Sequence, residues 1–378
     1  MDQSNEFKTE REIVEWLKKY NVKSYIIHQD LTVDVSGSVN LDGGNIDGRL
    51  PVKFGTVNGS FSCVGNNIRT MYGFPREVDG DFDCSRNLLR DLHYCPREVG
   101  GNFSCEENDL VSLEGCPEFI NYNFSCEKNS LRDLHRGPKI IRGNFNCSNN
   151  YLYSLYGSPE SVGGNFHCDN NKLENLSECC MSIGNSFNCN YNNLTSLLGC
   201  PEIITGHFCC SNNRLISLEG GPKEVDKHYY CVNNELVNLL GGPVKVGEGF
   251  YIDYNHITSL EGYPSEVGSD FTCHCNSISS LEGGPVVVKG EFNCSDNQLI
   301  SLEGGPKEVG SIFNCSRNKL ESLLGFPDKV GGEFYCKDNK LDSVLPNKEM
   351  SFKEIKEYML NESTLSPIVD KDSPKIKM

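Results

Sequence analysis

An asparagine recurs every 21 residues from Asn66 to Asn339, at 14 positions and without a gap. Two residues after each stands Leu or Ile. Three residues before each stands Cys, except at Ile252, and five before stands Phe, except at Tyr229. The unit reads Phe-x-Cys-x-x-Asn-x-Leu-x-x-Leu and usually continues Gly-x-Pro-x-x-Val. A register this strict overrides the two or three globular domains that 378 residues would otherwise suggest. It predicts one elongated solenoid, stabilised by contact between neighbouring rungs.

Each unit translates into a physical object. Phe and Cys are two apart, so both point to one side of a short strand. The Leu residues continue that apolar row after the strand ends. The Asn between them is a polar side chain in an apolar row, and a buried amide needs hydrogen-bond partners. Stacked in register, the amides make a ladder. Gly-x-Pro turns the chain, and a 21-residue coil leaves room for extended or 3₁₀ structure on its outer side rather than for a helix. At Ser177-Glu178-Cys179-Cys180 the Gly-x-Pro is lost, which predicts a local bulge.

Thirteen of the 20 cysteines occupy the Phe-x-Cys column. Ile252 fills the same slot, and Ile forms neither a disulfide nor a metal bond, so these positions read as small buried hydrophobes. Reduced thiols in a cytoplasmic setting follow. Cys95 with Cys116, and Cys179 with Cys200, align on adjacent rungs; they read as outer-turn filling, with a facultative disulfide as the alternative. The formal charge of −17 opposes phosphate backbones and anionic lipid, so neither nucleic acid nor membrane is an expected partner. No apolar run is long enough to span a bilayer, and Met1 to Tyr20 has the character of a charged helix, not of a signal peptide.

The Phe-x-Cys-x-x-Asn-x-Leu core resembles the Leu-x-Leu-x-x-Asn-x-Leu core of leucine-rich repeat proteins. The short unit and its Leu-x-Gly-x-Pro tail are similar to the bacterial type found in type III secreted effectors. The Phe-x-Cys variant with a Gly-Gly-x-Phe lead-in most resembles uncharacterised leucine-rich repeat proteins of bacteriophages and large viruses. The resemblance spans roughly Val33 to Leu345. It implies a horseshoe or superhelix with a parallel β-sheet on the concave face, recognition of a protein by that face, and no catalytic activity or cofactor. The ubiquitin-ligase domain that follows the repeats in the effectors has no counterpart in the roughly 30 residues after position 345.

The ends read as caps. Residues 1–60 comprise a helix over Phe7 to Tyr20, with Thr9 and Glu12 at capping-box spacing and Trp16 as an anchor, then a starter rung at Val39-x-Leu41. The right-handed solenoid proper occupies 61–345. A second helix, with Ser351 and Glu354 again spaced as a capping box, caps the far end over 346–361. Its apolar residues are Phe352, Ile355, Tyr358 and Met359. The polar tail over 362–378 reads as disordered.

Function is expected on the sheet. Its solvent-facing positions form columns with neighbours about 4.8 Å apart. His207 and His228 share the column before Phe. His167, Tyr230 and Tyr251 share the column after Phe, with Cys209 among them. Tyr191, Tyr254, His256 and His274 follow on the next outward positions. Exposed Tyr and His together are typical of an interface, so these nine residues form the expected partner-binding patch. The bland alternative is drift on a tolerant surface, since Tyr94, His93, His135 and Tyr156 lie elsewhere. A metal at His207, His228 and Cys209 is the weaker reading for want of a fourth ligand. A Cys209–His207 nucleophile pair lacks any oxyanion-hole signal. Glu114, Glu219, Glu261, Glu282 and Glu303 make an acidic column, either a solvated face or a guide for a basic partner. The partner is expected to be a host protein if the phage-type resemblance holds, with host inhibition as the role. Capture of a nucleotide or peptide and a structural place in a virion are the alternatives.

Overall fold

The computed structural model describes residues 6–341 and 351–365, with side chains to position 358 in the last helix. The expected close of the last unit at Val344-Leu345-Pro346, the capping role of Met359 and the tail from position 366 fall outside what it describes, whereas residues 362–365, expected to be disordered, continue the last helix.

The Phe-x pairs are two-residue strands, and they stack into one 15-stranded parallel sheet that begins at Val39–Asn40 and ends at Phe334–Tyr335. The register is uniform. Phe103 pairs with Phe82 and Phe124 on its two sides, and Val39 pairs with Phe61, so the starter rung joins in the expected place. Behind the sheet, the Phe rings form a continuous column from Phe61 to Phe334 through Tyr229. Neighbouring centroids are 4.9–6.0 Å apart. The column cysteines and the two Leu rows complete a core with almost no solvent access. All 20 cysteines are free thiols. Several column thiols point at the next rung's carbonyl, as Cys105 Sγ does at Ser125 O (3.3 Å).

The asparagine ladder has the expected form. Asn108 Nδ2 donates to the carbonyls of Cys105 (3.3 Å), Glu106 (3.1 Å) and, in the preceding rung, Cys84 (3.1 Å). Its Oδ1 accepts the Leu89 N–H (3.1 Å). One amide therefore satisfies backbone groups in two rungs. The tight turn places the residue before every ladder Asn at positive φ, from Gly65 (+69°) to Asp338 (+56°).

Outside, the segment ending in Val forms a second set of two-residue strands, extended as expected. It is interrupted after Val99, Ile183 and Val267. No bulge forms at Ser177-Glu178-Cys179-Cys180. Glu178 takes the glycine's positive φ (+66°), Cys180 fills the buried proline slot, and Ser182–Ile183 keeps its pairing with Ser161–Val162. Cys95 Sγ fills the outer turn, donating to Gly115 O (3.0 Å).

Helix α1 (Glu10–Lys19) carries the full Thr9–Glu12 capping box. It buries Ile13 and Leu17 fully, while Trp16 is half-buried against Tyr20 and Phe54. Strand Thr32–Val35 then pairs in parallel with Lys53–Val57 and antiparallel with Tyr25–Ile27. Helix α2 (Phe352–Leu365) starts on the Ser351–Glu354 pair, with both Ser351 N and Oγ 2.7 Å from Glu354 Oε2. Ile355 is buried and Phe352 stacks on Phe326 (5.0 Å), so this helix covers the last rung.

Candidate functional site

The solvent face of the long sheet contains a second ladder. In the column before each Phe, a short polar side chain accepts the backbone N–H of the residue one rung on. Ser60 Oγ accepts from Asp81 N, Asp81 from Asn102, Asn102 from Asn123, Asn123 from Asn144, Asn144 from Asn165, and Asn165 from Ser186. His207 and His228 continue this series. Ser186 Oγ accepts the His207 N–H (3.0 Å), His207 Nδ1 faces the His228 N–H (3.4 Å), and His228 Nδ1 accepts the Gly249 N–H (2.9 Å). Gly249 has no side chain, so the series stops there; Asp270 Oδ1 resumes it by accepting the Glu291 N–H (2.8 Å).

This geometry sets the tautomer. An imidazole whose Nδ1 accepts a proton must carry its own on Nε2. His228 Nε2 lies 3.0 Å from Glu248 Oε2, at donor distance. The two imidazoles stack at 5.2 Å and 13°. In the neighbouring column, Tyr230 and Tyr251 stack at 4.8 Å and 14°. His228 contacts both tyrosines, at 5.5 and 5.6 Å, so the four rings form one half-buried platform across three rungs.

Tyr251 leans over Gly249. A Cβ at Gly249 would lie 2.5–2.7 Å from the Tyr251 hydroxyl and ring atoms. The tyrosine hydroxyl donates to Asp270 Oδ2 (3.0 Å). Glu291 follows Asp270 in the same column, and burial, then the charges of Asp270 and Asp253, raise its pKa. Beside it, Asp253 holds His274 (2.8 Å between Oδ1 and Nδ1) and accepts from Thr272 Oγ1 (2.7 Å). That ion pair raises the His274 pKa, whereas burial and then the nearby His228 lower that of His207.

Of the nine expected patch residues, His207, His228, Tyr230 and Tyr251 come together. Tyr254 meets His274 edge-on at 5.0 Å, a separate pair further along the sheet. His167 lies two rungs before Cys209 in the column after Phe, with Asn188 between them. Tyr191 (57% exposed) occupies a positive-φ turn position, as does Tyr254 (55%). His256 lies beyond the ladder Asn255, in the column of Glu235 and Ser277. Among the described residues, no ring contact joins His167, Tyr191 or His256 to the platform.

The three potential metal ligands that converge are His207, His228 and Glu248, with ligand atoms within 4.8 Å of one another; Cys209 is not among them. The Nδ1 lone pairs face backbone N–H groups and His228 Nε2–H faces Glu248, so hydrogen bonds account for His228, Glu248 and the His207 Nδ1 without an ion. The Cys209 thiol is pushed up to about 11, first by burial and then by Asp169, which keeps it protonated at neutral pH and opposes a nucleophilic role.

Comparison with solved structures finds leucine-rich effectors. The leucine-rich effector YopM from Yersinia pestis aligns with a TM-score of 0.50 at 20% identity, over 82% of this chain and 86% of that one. YopM from Yersinia enterocolitica WA-314 aligns at 0.40 and 20%, over 80% and 78%. The fold is a leucine-rich repeat solenoid. At such identity the likeness is one of fold alone. No family model and no curated protein matches the chain. In this solenoid no helix among the described residues is long and apolar enough to cross a membrane.

Sequence reasoning missed the structural duty of the two histidines and the parts played by Glu248, Gly249 and Asp270. The column itself held a signal. Ser60, Asp81, Asn102, Asn123, Asn144, Asn165 and Ser186 are all short acceptors, so the position selects a hydrogen-bond acceptor before it selects a binding group.

Proposed function

We propose that this chain is a non-enzymatic protein-binding scaffold whose partner docks on the long sheet at the His207–His228–Tyr230–Tyr251 platform. The observation that carries this reading is the platform itself. Four half-buried rings lie in contact on a face that elsewhere presents mainly Ser, Asn and acids. Rigid aromatic groups give contact area with little entropy to lose, which is the profile of an interface anchor. Tyr254, His274, Tyr191, His167 and His256 extend the face around it. The finer reading is a phage or large-virus product that acts in the host cytoplasm and blocks a host defence or regulatory protein. It rests on the sequence resemblance to repeat proteins of that origin.

The test is comparative capture from a lysate of the candidate host. Alanine at 207 or 228 would remove a ladder acceptor, so His207→Asn and His228→Asn are the right changes, because Asn already serves that column at Asn102 to Asn165. Tyr230→Ser and Tyr251→Asn likewise use residues found in their own column at Ser104 and Asn188. A protein retained by the wild type and lost by this quadruple variant, at unchanged thermal stability, supports the platform as the site. Equal retention by both overturns it.

A further inference from the structure

The platform ends in uncompensated negative charge. Along the column before Phe, the order is His207, His228, Gly249, Asp270, Glu291 on five consecutive rungs. Tyr251 bridges from the platform to Asp270 through its hydroxyl. Among the described residues, no lysine or arginine forms an ion pair with Glu248, Asp270 or Glu291; the one contact of this kind is His228 to Glu248. The rings therefore run directly into a pair of carboxylates one rung apart. Burial first, and then the charges of Asp270 and Asp253, raise the pKa of Glu291. Lys227 directly precedes His228, and its charge acts on His207, at the end of the platform away from Asp270 and Glu291.

We propose that this patch receives an arginine side chain from the partner protein, with the guanidinium against the Tyr230–Tyr251 rings and its charge met by Asp270 and Glu291. The inference rests on the reading of the platform as the docking site and adds the chemistry of what docks. A planar cation is the group that aromatic faces and carboxylates bind together, the first through the ring quadrupole and the second through paired N–H donors. Arginine fits better than lysine, because its guanidinium stacks flat and presents a fork to two acceptors, whereas an ammonium is a compact and strongly hydrated point charge. A nucleotide base would also stack on the rings, but its phosphates would then face Glu248, Asp270 and Glu291.

The probes are fluorescein-labelled tetra-arginine, tetra-lysine and tetra-citrulline amides, read by fluorescence anisotropy on the full chain, with unlabelled spermine as competitor. Because the whole chain is acidic, the decisive comparison is between two charge-matched variants. Asp270→Asn with Glu291→Gln removes the proposed site; Glu282→Gln with Glu303→Gln removes the same charge from the exposed acidic column. The proposal expects saturable binding of tetra-arginine, weaker binding of tetra-lysine, and none of the isosteric but neutral tetra-citrulline. It expects about a tenfold loss in the first variant and in Tyr230→Ser, and little change in the second. Equal losses in the two charge-matched variants, or displacement by spermine as effective as by unlabelled tetra-arginine, would reduce the effect to general acidity and overturn the proposal. Absence of saturable tetra-arginine binding would overturn it as well. The capture experiment above separates the two levels: a partner lost by the quadruple variant but indifferent to Asp270→Asn with Glu291→Gln leaves the docking site standing and removes the arginine.

Discussion

Tyr251 occupies the space that a side chain at Gly249 would need. The glycine interrupts the acceptor ladder that runs from Ser60 to His228, and the same missing side chain lets the tyrosine ring lie across the sheet to reach Asp270. A structural defect and the most prominent ring of the candidate site are thus one feature. Gly249→Ala should displace that ring, since the new Cβ would meet it at 2.5–2.7 Å. The expected readouts are loss of the Tyr251–Asp270 hydrogen bond and destabilisation of about 1 kcal/mol. Denaturant melts of Gly249→Ala, Tyr251→Ala and the double variant check this. The double variant should be less destabilised than the sum of the singles, because the clash needs both partners.

Tyr229 is the one Tyr in the buried Phe column, and its hydroxyl has no hydrogen-bond partner among the described residues. Burial drives its pKa far up, so it remains a neutral phenol. Tyr229→Phe restores the residue that fills the other rungs and removes an unsatisfied polar atom. Stability should rise by about 1 kcal/mol, measurable as a higher midpoint in urea. An unchanged or lower midpoint would show that the hydroxyl is satisfied.

The ladder asparagines bind backbone groups in two rungs at once. Asn192→Ala should cost about 1–3 kcal/mol, because it strands the N–H of Leu173 and takes one donor each from the carbonyls of Cys168, Cys189 and Asn190. Asn192→Asp should cost more at neutral pH, since it buries a charge and removes the amide donors. If Asp were the milder change in a denaturation series, the donor role of the amide would be wrong.

His207 and His274 should titrate on opposite sides of 6.5, the former below and the latter above. The signs for stability follow. The His207 contribution is fully present above about pH 6.5 and is lost as the pH falls through its lower folded value, where protonation at Nδ1 opposes the His228 N–H. The His274 contribution is fully present below about pH 6.5 and is lost as the pH rises through its higher folded value, when the Asp253 ion pair discharges. NMR titration of the imidazole signals measures both directly. His274→Gln should remove the alkaline limb without changing the acidic one.

Tyr191 sits at the positive-φ position that Asn149, Asn170, Asn212 and Asn233 fill in other rungs. A bulky side chain is strained there, by about 1 kcal/mol. Tyr191→Asn should therefore stabilise the fold by roughly that amount. A gain in melting temperature together with weaker capture of the partner would tie the strained tyrosine to binding.

The period, the inward Phe and Cys, the Asn ladder, the starter rung at Val39 and both helical caps were legible in the sequence. These features depend on spacing within one unit, and a strict repeat turns local spacing into three-dimensional register. Even so, the loss of Gly-x-Pro at Ser177–Cys180 did not produce the bulge that local reading expects. Neighbouring rungs hold Glu178 in the glycine conformation, so stacking outweighs the local preference. The site was legible only as a set of columns. Which rings touch, that His207 and His228 hold up the backbone through Nδ1, that Gly249 makes room for Tyr251, and that Asp270 and Glu291 stand beside them without a lysine or arginine partner among the described residues were decided by tertiary structure. The physical reason is that a column position states which side chains are neighbours, while their rotamers, tautomers and unpaired charges depend on groups 19 to 22 residues away, which meet only when the rungs stack.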